Sequence, residues 1–180
     1  STYQLWTFDN PENPGVPDVV ENEYGDPMAH VIQTGDLEVY EARWYESFLG
    51  REGVYNGKSV AVGLDIPNRQ IVDGYKKIVV TAEIRGELTE WAVTSEPDTT
   101  AELVETWLKP SEQLDGWAIW YGEWRLEPNP VREQVNLLFQ SNSGAQVNWV
   151  EADTVCIPEP ATLAILFGGA AVVAVCRRKS

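Results

Sequence analysis

The chain has 180 residues and a mass of 20.1 kDa, which fits one domain with or without a tail and excludes a large multidomain enzyme. Hydrophobic residues make up 43% of it and eight residues are Trp, so the composition is that of a globular protein with a substantial core. The 13 Lys and Arg against 28 Asp and Glu give a net charge of −15, the wrong sign for a phosphate backbone, and this excludes nucleic acid as a partner.

The first 157 residues are predicted to form strands separated by turns. The chain starts at Ser1, as expected after removal of an export leader. Ser59–Ile66 and Lys77–Arg85 alternate apolar and small or polar residues with the period of two that is typical of half-buried strands. Further predicted strands are Tyr3–Phe8, Ala29–Gln33, Leu88–Thr94, Trp117–Leu126, Gln134–Gln140 and Gln146–Cys156. Asn56-Gly57 predicts a hairpin turn.

One segment, Thr100–Leu108, has a helical rhythm, because Leu103, Val104, Trp107 and Leu108 would lie on one side of a helix. Eight or nine short strands with almost no helix predict an all-β fold. The size favours a two-sheet antiparallel sandwich resembling a jelly roll.

The segment Trp117–Leu126 carries aromatic residues on both faces of its predicted strand. Trp117 and Tyr121 point one way and Trp120 and Trp124 the other. One set would therefore be covered by a loop, displaced by a bulge at Gly122, or used to hold a ligand or partner. A sugar ring could stack on it beside Glu123, Asn129 or Gln134. Aromatic residues are equally typical of protein interfaces.

Calcium is a further hypothesis, because its sites use carboxylates and carbonyl oxygens and need neither His nor Cys. Asp9 and Asn10 follow the first predicted strand and Asp153 lies in the last. The three would meet if the terminal strands lie side by side. The alternative is that all three are solvated surface residues.

The sequence carries little that is typical of a catalyst. It lacks the P-loop, the dinucleotide-binding GxGxxG, HExxH and GxSxG motifs. The single histidine, His30, lies in a predicted strand and is interpreted as a structural residue. Carboxylate pairs such as Glu38 with Glu41, or Glu102 with Glu105, could serve a glycosidase, but nothing places them across a cleft. We therefore expect no enzymatic activity.

The C-terminal end consists of Pro158-Glu159-Pro160, the uncharged apolar run 161–176, and the basic residues Arg177, Arg178 and Lys179. Sixteen residues of helix span about 24 Å, somewhat less than the ~30 Å hydrocarbon core, and predict a marginal membrane anchor. The positive-inside rule places the basic end in the cytoplasm and the acidic domain across the membrane. Cys156 and Cys176 would then lie on opposite sides and cannot pair within one chain.

This tail, residues 157–179, resembles the PEP-CTERM sorting signal recognised by exosortases. The resemblance implies export, temporary retention by a C-terminal hydrophobic helix, processing near Pro158-Glu159-Pro160, and delivery to the cell surface or extracellular matrix. Exported domains with this signal often resemble carbohydrate-binding jelly rolls.

We therefore predict an exported β-sandwich domain over residues 1–157 and a sorting signal over residues 158–180. The expected partners are an exosortase, the membrane, and either further copies of the chain or extracellular polysaccharide. The first hypothesis for function is a non-enzymatic surface or matrix protein that assembles; the alternative is a carbohydrate-binding module.

Overall fold

The computed structural model of the protein describes residues 1–32, 42–69, 74–110 and 116–158. These residues form ten β-strands and no helix. The strands are β1 (Thr2–Trp6), β2 (Val19–Glu21), β3 (Met28–Ile32), β4 (Arg43–Phe48), β5 (Arg51–Pro67), β6 (Tyr75–Arg85), β7 (Glu87–Glu96), β8 (Thr100–Pro110), β9 (Ala118–Glu127) and β10 (Arg132–Ile157).

The centre of the fold is β10, a strand of 26 residues that belongs to two groups of strands. Its first part pairs with β5 on one side and β7 on the other, and its second part pairs with β6 and β1, while residues 145–147 at the start of the second part also pair with β5. A register shift between Gln140 and Ala145 separates the two parts. One path through the sheet runs β2-β1-β10-β6-β9-β8, while β3 and β4 extend from β5. Among the residues that the structure describes, all pairings are antiparallel and the sheet does not close on itself, which confirms the predicted all-β antiparallel class.

Alternation of apolar residues builds the core as the sequence predicts. Within β5 the inward residues are Val60, Val62, Leu64 and Ile66, and within β6 they are Ile78, Val80, Ala82 and Ile84; all eight are fully buried. Because successive side chains of a strand point to opposite faces, every second residue of these strands contributes to one apolar layer.

Two expectations from the sequence are wrong. The segment predicted as a helix, Thr100–Leu108, is part of strand β8. Asn56-Gly57 is not a hairpin turn but lies inside β5, which runs on to Pro67. A side chain at Gly57 would come within 3.1 Å of the backbone of Ala42. Glycine fits this position because the backbone of a neighbouring segment approaches closely, and not because the chain reverses.

Aromatic contacts join strands that are not hydrogen-bonded to each other. The rings of Trp91 on β7 and Trp124 on β9 are 5.8 Å apart, and those of Trp120 on β9 and Phe139 on β10 are 5.9 Å apart. Side chains of β7 and of the first part of β10 therefore pack on β9. The finer assignment as a two-sheet jelly roll stays a prediction.

A charged pair lies inside the fold. The ammonium group of Lys76 on β6 hydrogen-bonds Oε1 of Glu133 on β10, and both side chains are completely buried. Burial raises the pKa of the Glu133 carboxyl, and the charge and hydrogen bond of Lys76 oppose that effect. The pair connects the two groups of strands with a polar contact in an otherwise apolar setting.

Candidate functional site

The predicted aromatic strand is β9, which lies between β6 and β8. Its inward face carries Trp120, Trp124 and Leu126, all buried in the core. Gly122 sits between the two indoles, and a Cβ atom there would come within 2.6 Å of the Trp120 ring and 2.7 Å of the Trp124 ring. The pairing of β9 with β6 continues without a shift through Gly122. Gly122 is therefore not a bulge, and its missing side chain makes room for the two rings.

The outward face of β9 carries the aromatic surface that solvent reaches. Tyr121 stacks on Trp107 of the neighbouring strand β8, with ring centroids 4.8 Å apart and planes 3° from parallel. We call these two residues the aromatic platform. Tyr121 is half-buried, whereas Trp107 is 40% exposed. Trp117, just before β9, is buried, and the guanidinium of Arg51 lies 5.4 Å from its ring centre.

A charged network borders the platform. The Tyr121 hydroxyl donates a hydrogen bond of 2.7 Å to Oε2 of Glu123, and the ammonium of Lys77 lies 2.6 Å from the same oxygen. Hydrogen bonds from Lys77 and Tyr121 lower the pKa of Glu123. Burial, together with the hydrogen bond to Glu123, raises the pKa of Tyr121 to about 12. At neutral pH the site therefore presents a neutral phenol beside a carboxylate.

The amides expected beside the aromatic residues lie elsewhere. Asn129 is buried, and its side-chain oxygen is 3.5 Å from Sγ of Cys156. Gln134 is on β10 between β5 and β7, neither of which pairs with β8 or β9. Of the three polar residues expected around a sugar, only Glu123 borders the platform.

The calcium hypothesis depends on three residues that the structure does not bring together. The terminal strands do lie side by side, but the register pairs Asp153 with Tyr3 near the start of β1. Asp9 and Asn10 follow the opposite end of that strand. No group of three or more His, Cys, Asp or Glu side chains suited to a metal occurs in residues 1–32, 42–69, 74–110 and 116–158.

The other residues considered for catalysis are dispersed. His30 is half-buried on β3, opposite Gly63 of β5. Glu102 and Glu105 are exposed on β8, while Glu38 and Glu41 lie outside the described residues. Of these candidate acids, the two that the structure describes, Glu102 and Glu105, lie on the same strand and not across a cleft.

Strand β8 is the feature that the sequence did not reveal. Within the described ranges it pairs only with β9, so its other edge carries unpaired backbone groups. Val104, Trp107 and Leu108 are exposed by 54%, 40% and 50%. A long strand edge with apolar side chains is a template for pairing with another chain. The β-branched and aromatic residues of TAELVETWL were the available signal.

A concavity of about 970 Å³ lies where β7 begins and β10 changes register, and its surface is about equally polar and apolar. Short hydroxyl and amide side chains line most of it, including those of Ser59, Thr89, Gln140, Ser141 and Asn142. It contains no aromatic residue, so it offers hydrogen bonds without a stacking surface.

The described residues form an all-β domain. Its last strand, β10, ends at Ile157, and the tail with its apolar run follows directly in the sequence. No helix long and apolar enough to cross a membrane occurs among the described residues. Pro158 is the last of them, so the predicted sorting helix, Glu159, Pro160, Arg177, Arg178 and Lys179 lie outside the described part of the chain.

The family model described as the PEP-CTERM protein-sorting motif matches residues 157–179. The chain therefore carries this motif, which confirms the resemblance found from the tail. The motif implies export, anchoring of an intermediate in the membrane through the C-terminal segment, and processing by an exosortase. A comparison of the chain with curated proteins finds no match.

Proposed function

We propose that the protein is a non-enzymatic subunit of the cell surface or extracellular matrix, and that it assembles with other chains after export. The observation that carries the proposal is the edge of β8, with its unpaired backbone and exposed apolar side chains. The sorting motif supports it, because the motif implies export and processing by an exosortase.

The test is the mass and oligomeric state of the protein recovered from its native cells, after fractionation into membrane, surface and released material. We expect processed protein in surface or released material, in particles larger than one chain, without added sugar. A strictly monomeric protein in those fractions would contradict the proposal.

A second candidate function, glycan binding, is favoured by the aromatic platform. Trp107 offers an exposed ring, and the Glu123 carboxylate beside it can accept hydrogen bonds from hydroxyl groups. If a sugar stacks on this ring, the Trp107→Ala protein should no longer be retained on polysaccharide resins. Trp120→Ala and Trp124→Ala are unsuitable tests, because both rings are buried and their removal would disturb the core. Retention of the Trp107→Ala protein equal to that of the unaltered protein would contradict glycan binding at the platform.

We infer further that the two groups of strands joined by β10 form the two layers of a sandwich. Support comes from the contacts of Trp91 with Trp124 and of Phe139 with Trp120, which connect strands that do not pair. An experimental structure in which these rings are separated by more than one layer of side chains would contradict this arrangement.

A further inference from the structure

We infer that β8 pairs in antiparallel fashion with β8 of a second copy of this chain, about a two-fold axis that passes beside Trp107. The inference rests on the proposed assembly function and names both its partner and its register. In the described ranges β8 has β9 as its one neighbour, and residues 104–110 are all exposed. Its free edge can therefore receive another strand.

The regular part of β8 sets the length of the contact. A bulge interrupts its pairing with β9 between Leu103 and Glu105, whereas Glu105–Lys109 pairs without a shift. These five residues extend over about 17 Å. A bulge twists a strand away from a straight partner, so the regular segment is the part that a second copy can follow.

The side chains of this segment divide cleanly between two faces. Glu105, Trp107 and Lys109 lie opposite the outward residues of β9, which are Glu123, Tyr121 and Ile119. Thr106 and Leu108 lie opposite Gly122 and Trp120 on the inward face. In an antiparallel pair, residues directly opposite each other share a face. A two-fold axis perpendicular to the sheet therefore requires a register that keeps outward residues together.

Three registers keep the outward residues together near the centre of the segment: one places Trp107 opposite its own copy, and the other two are shifted from it by two residues in either direction. Only the first of them pairs opposite charges. With Trp107 opposite its own copy, Glu105 lies opposite Lys109 of the other chain, and the same pair forms twice. A shift by two residues in either direction places Trp107 opposite Glu105 or opposite Lys109 instead and removes both ion pairs. The charges of the regular segment Glu105–Lys109 are thus self-complementary in a single antiparallel register.

The overall charge makes this complementarity important. A chain with a net charge of −15 repels its own copies, and in β8 the acidic residue Glu105 is offset by the cation Lys109. Exposed ion pairs contribute little to affinity, so their role here is to select the register. Backbone hydrogen bonds and the burial of apolar side chains supply the attraction. The stacked rings of the two platforms would meet on the outward face of the joined sheet.

The experiment measures self-association of the full-length chain in detergent by sedimentation velocity over a range of concentrations. Glu105→Lys alone places Lys opposite Lys twice, and Lys109→Glu alone places Glu opposite Glu twice. We expect each variant to dimerise at least about tenfold more weakly than the unaltered chain. An equimolar mixture of the two variants restores both ion pairs. We expect the resulting heterodimer to form with higher affinity than the homodimer of either variant. The double variant Glu105→Lys with Lys109→Glu should likewise return to near the original affinity.

The matched controls are Glu46→Lys and Arg43→Glu, which make the same changes of charge at exposed positions of β4. Each control variant should dimerise with the affinity of the unaltered chain, and an equimolar mixture of the two should dimerise no more tightly than either one alone. Assembly that persists equally in both β8 single variants, or a mixture no tighter than its components, would overturn the inference while leaving the proposed function intact. A chain that stays monomeric at every concentration and is also monomeric in its native fractions would overturn both.

Discussion

Removal of the cation from the buried pair should strongly destabilise the domain. In Lys76→Met the carboxyl of Glu133 stays fully buried but loses the ammonium that hydrogen-bonds it. Loss of one partner of a buried ion pair costs about 3–5 kcal/mol of the free energy of unfolding. For a domain of this size each kcal/mol corresponds to about 2–4 °C in Tm, so we expect a fall of about 6–20 °C.

A double variant distinguishes the effect of the unpaired buried charge from the effect of altered packing. The double variant Lys76→Met with Glu133→Leu replaces the pair with apolar side chains, and such replacements are typically neutral or stabilising by about 1–4 kcal/mol. Urea unfolding monitored by Trp fluorescence gives the free energies of unfolding of the unaltered protein, of the single variants Lys76→Met and Glu133→Leu, and of the double variant. The pair Arg125 and Glu127, with side chains about half exposed, serves as the control; its loss should cost at most about 1 kcal/mol.

The pH dependence of the same variants checks the mechanism. Because burial raises the pKa of Glu133, the folded protein retains that proton to a higher pH than the unfolded chain does. The contribution of Glu133 to stability is therefore greatest at a pH below the pKa that its carboxyl has in the unfolded chain. This contribution falls as the pH rises through the pKa that the same carboxyl has in the folded protein. In Lys76→Met the loss of stability should shrink on acidification. A Lys76→Met protein within 1 kcal/mol of the unaltered protein at neutral pH, or a double variant less stable than either single one, would refute the reasoning.

Three further predictions concern β9 and the tail. Gly122→Ala should destabilise the domain by about 1–3 kcal/mol in urea unfolding, because the new methyl group meets two buried indole rings; a change below 0.5 kcal/mol would contradict this packing. Tyr121 should ionise near pH 12 in an ultraviolet titration, and its pKa should fall in Glu123→Gln, which removes the charge of the hydrogen-bond acceptor; an unchanged titration curve would exclude that cause. Cells lacking the exosortase should retain the full-length chain in the membrane, whereas unchanged release of a shortened chain would show that another route processes it.

The sequence predicted the central strands well because burial there imposes a strict period of two. Val60 to Ile66 in β5 and Ile78 to Ile84 in β6 alternate without interruption, and the structure confirms both runs. The sorting motif could also be recognised from the sequence, because it is defined by the order of its residues along the chain and not by how the chain folds.

The prediction failed where a bulge changes the period. In β8 the inward residues are Ala101, Leu103, Thr106 and Leu108, so their spacing is two, then three, then two. The extra residue between Leu103 and Glu105 is Val104. The helical rhythm therefore combined this bulged residue with the inward Leu103 and Leu108 and the outward Trp107, which do not share one face of the strand. Because β8 is also an exposed edge, no continuous apolar run marks it as a strand.

The candidate site was predicted in part for a related reason. A strand reveals which residues share a face but not which face another layer covers. The sequence left open which of the two aromatic faces a ligand or partner would use. The structure buries Trp120 and Trp124, and the ring that stacks on Tyr121 comes from β8, the strand that was missed. Only pairing across β8 and β9 brings Trp107 onto the Tyr121 ring.

The continuity of β10 has a mechanical consequence. While the tail is held in the membrane, force on the exported domain passes through Ile157, and the component of that force along β10 acts parallel to the strand. Hydrogen bonds to antiparallel neighbours on both sides, β1 and β6, are then loaded together in shear and are not peeled open one after another. The domain is therefore tethered by its most extensively bonded segment.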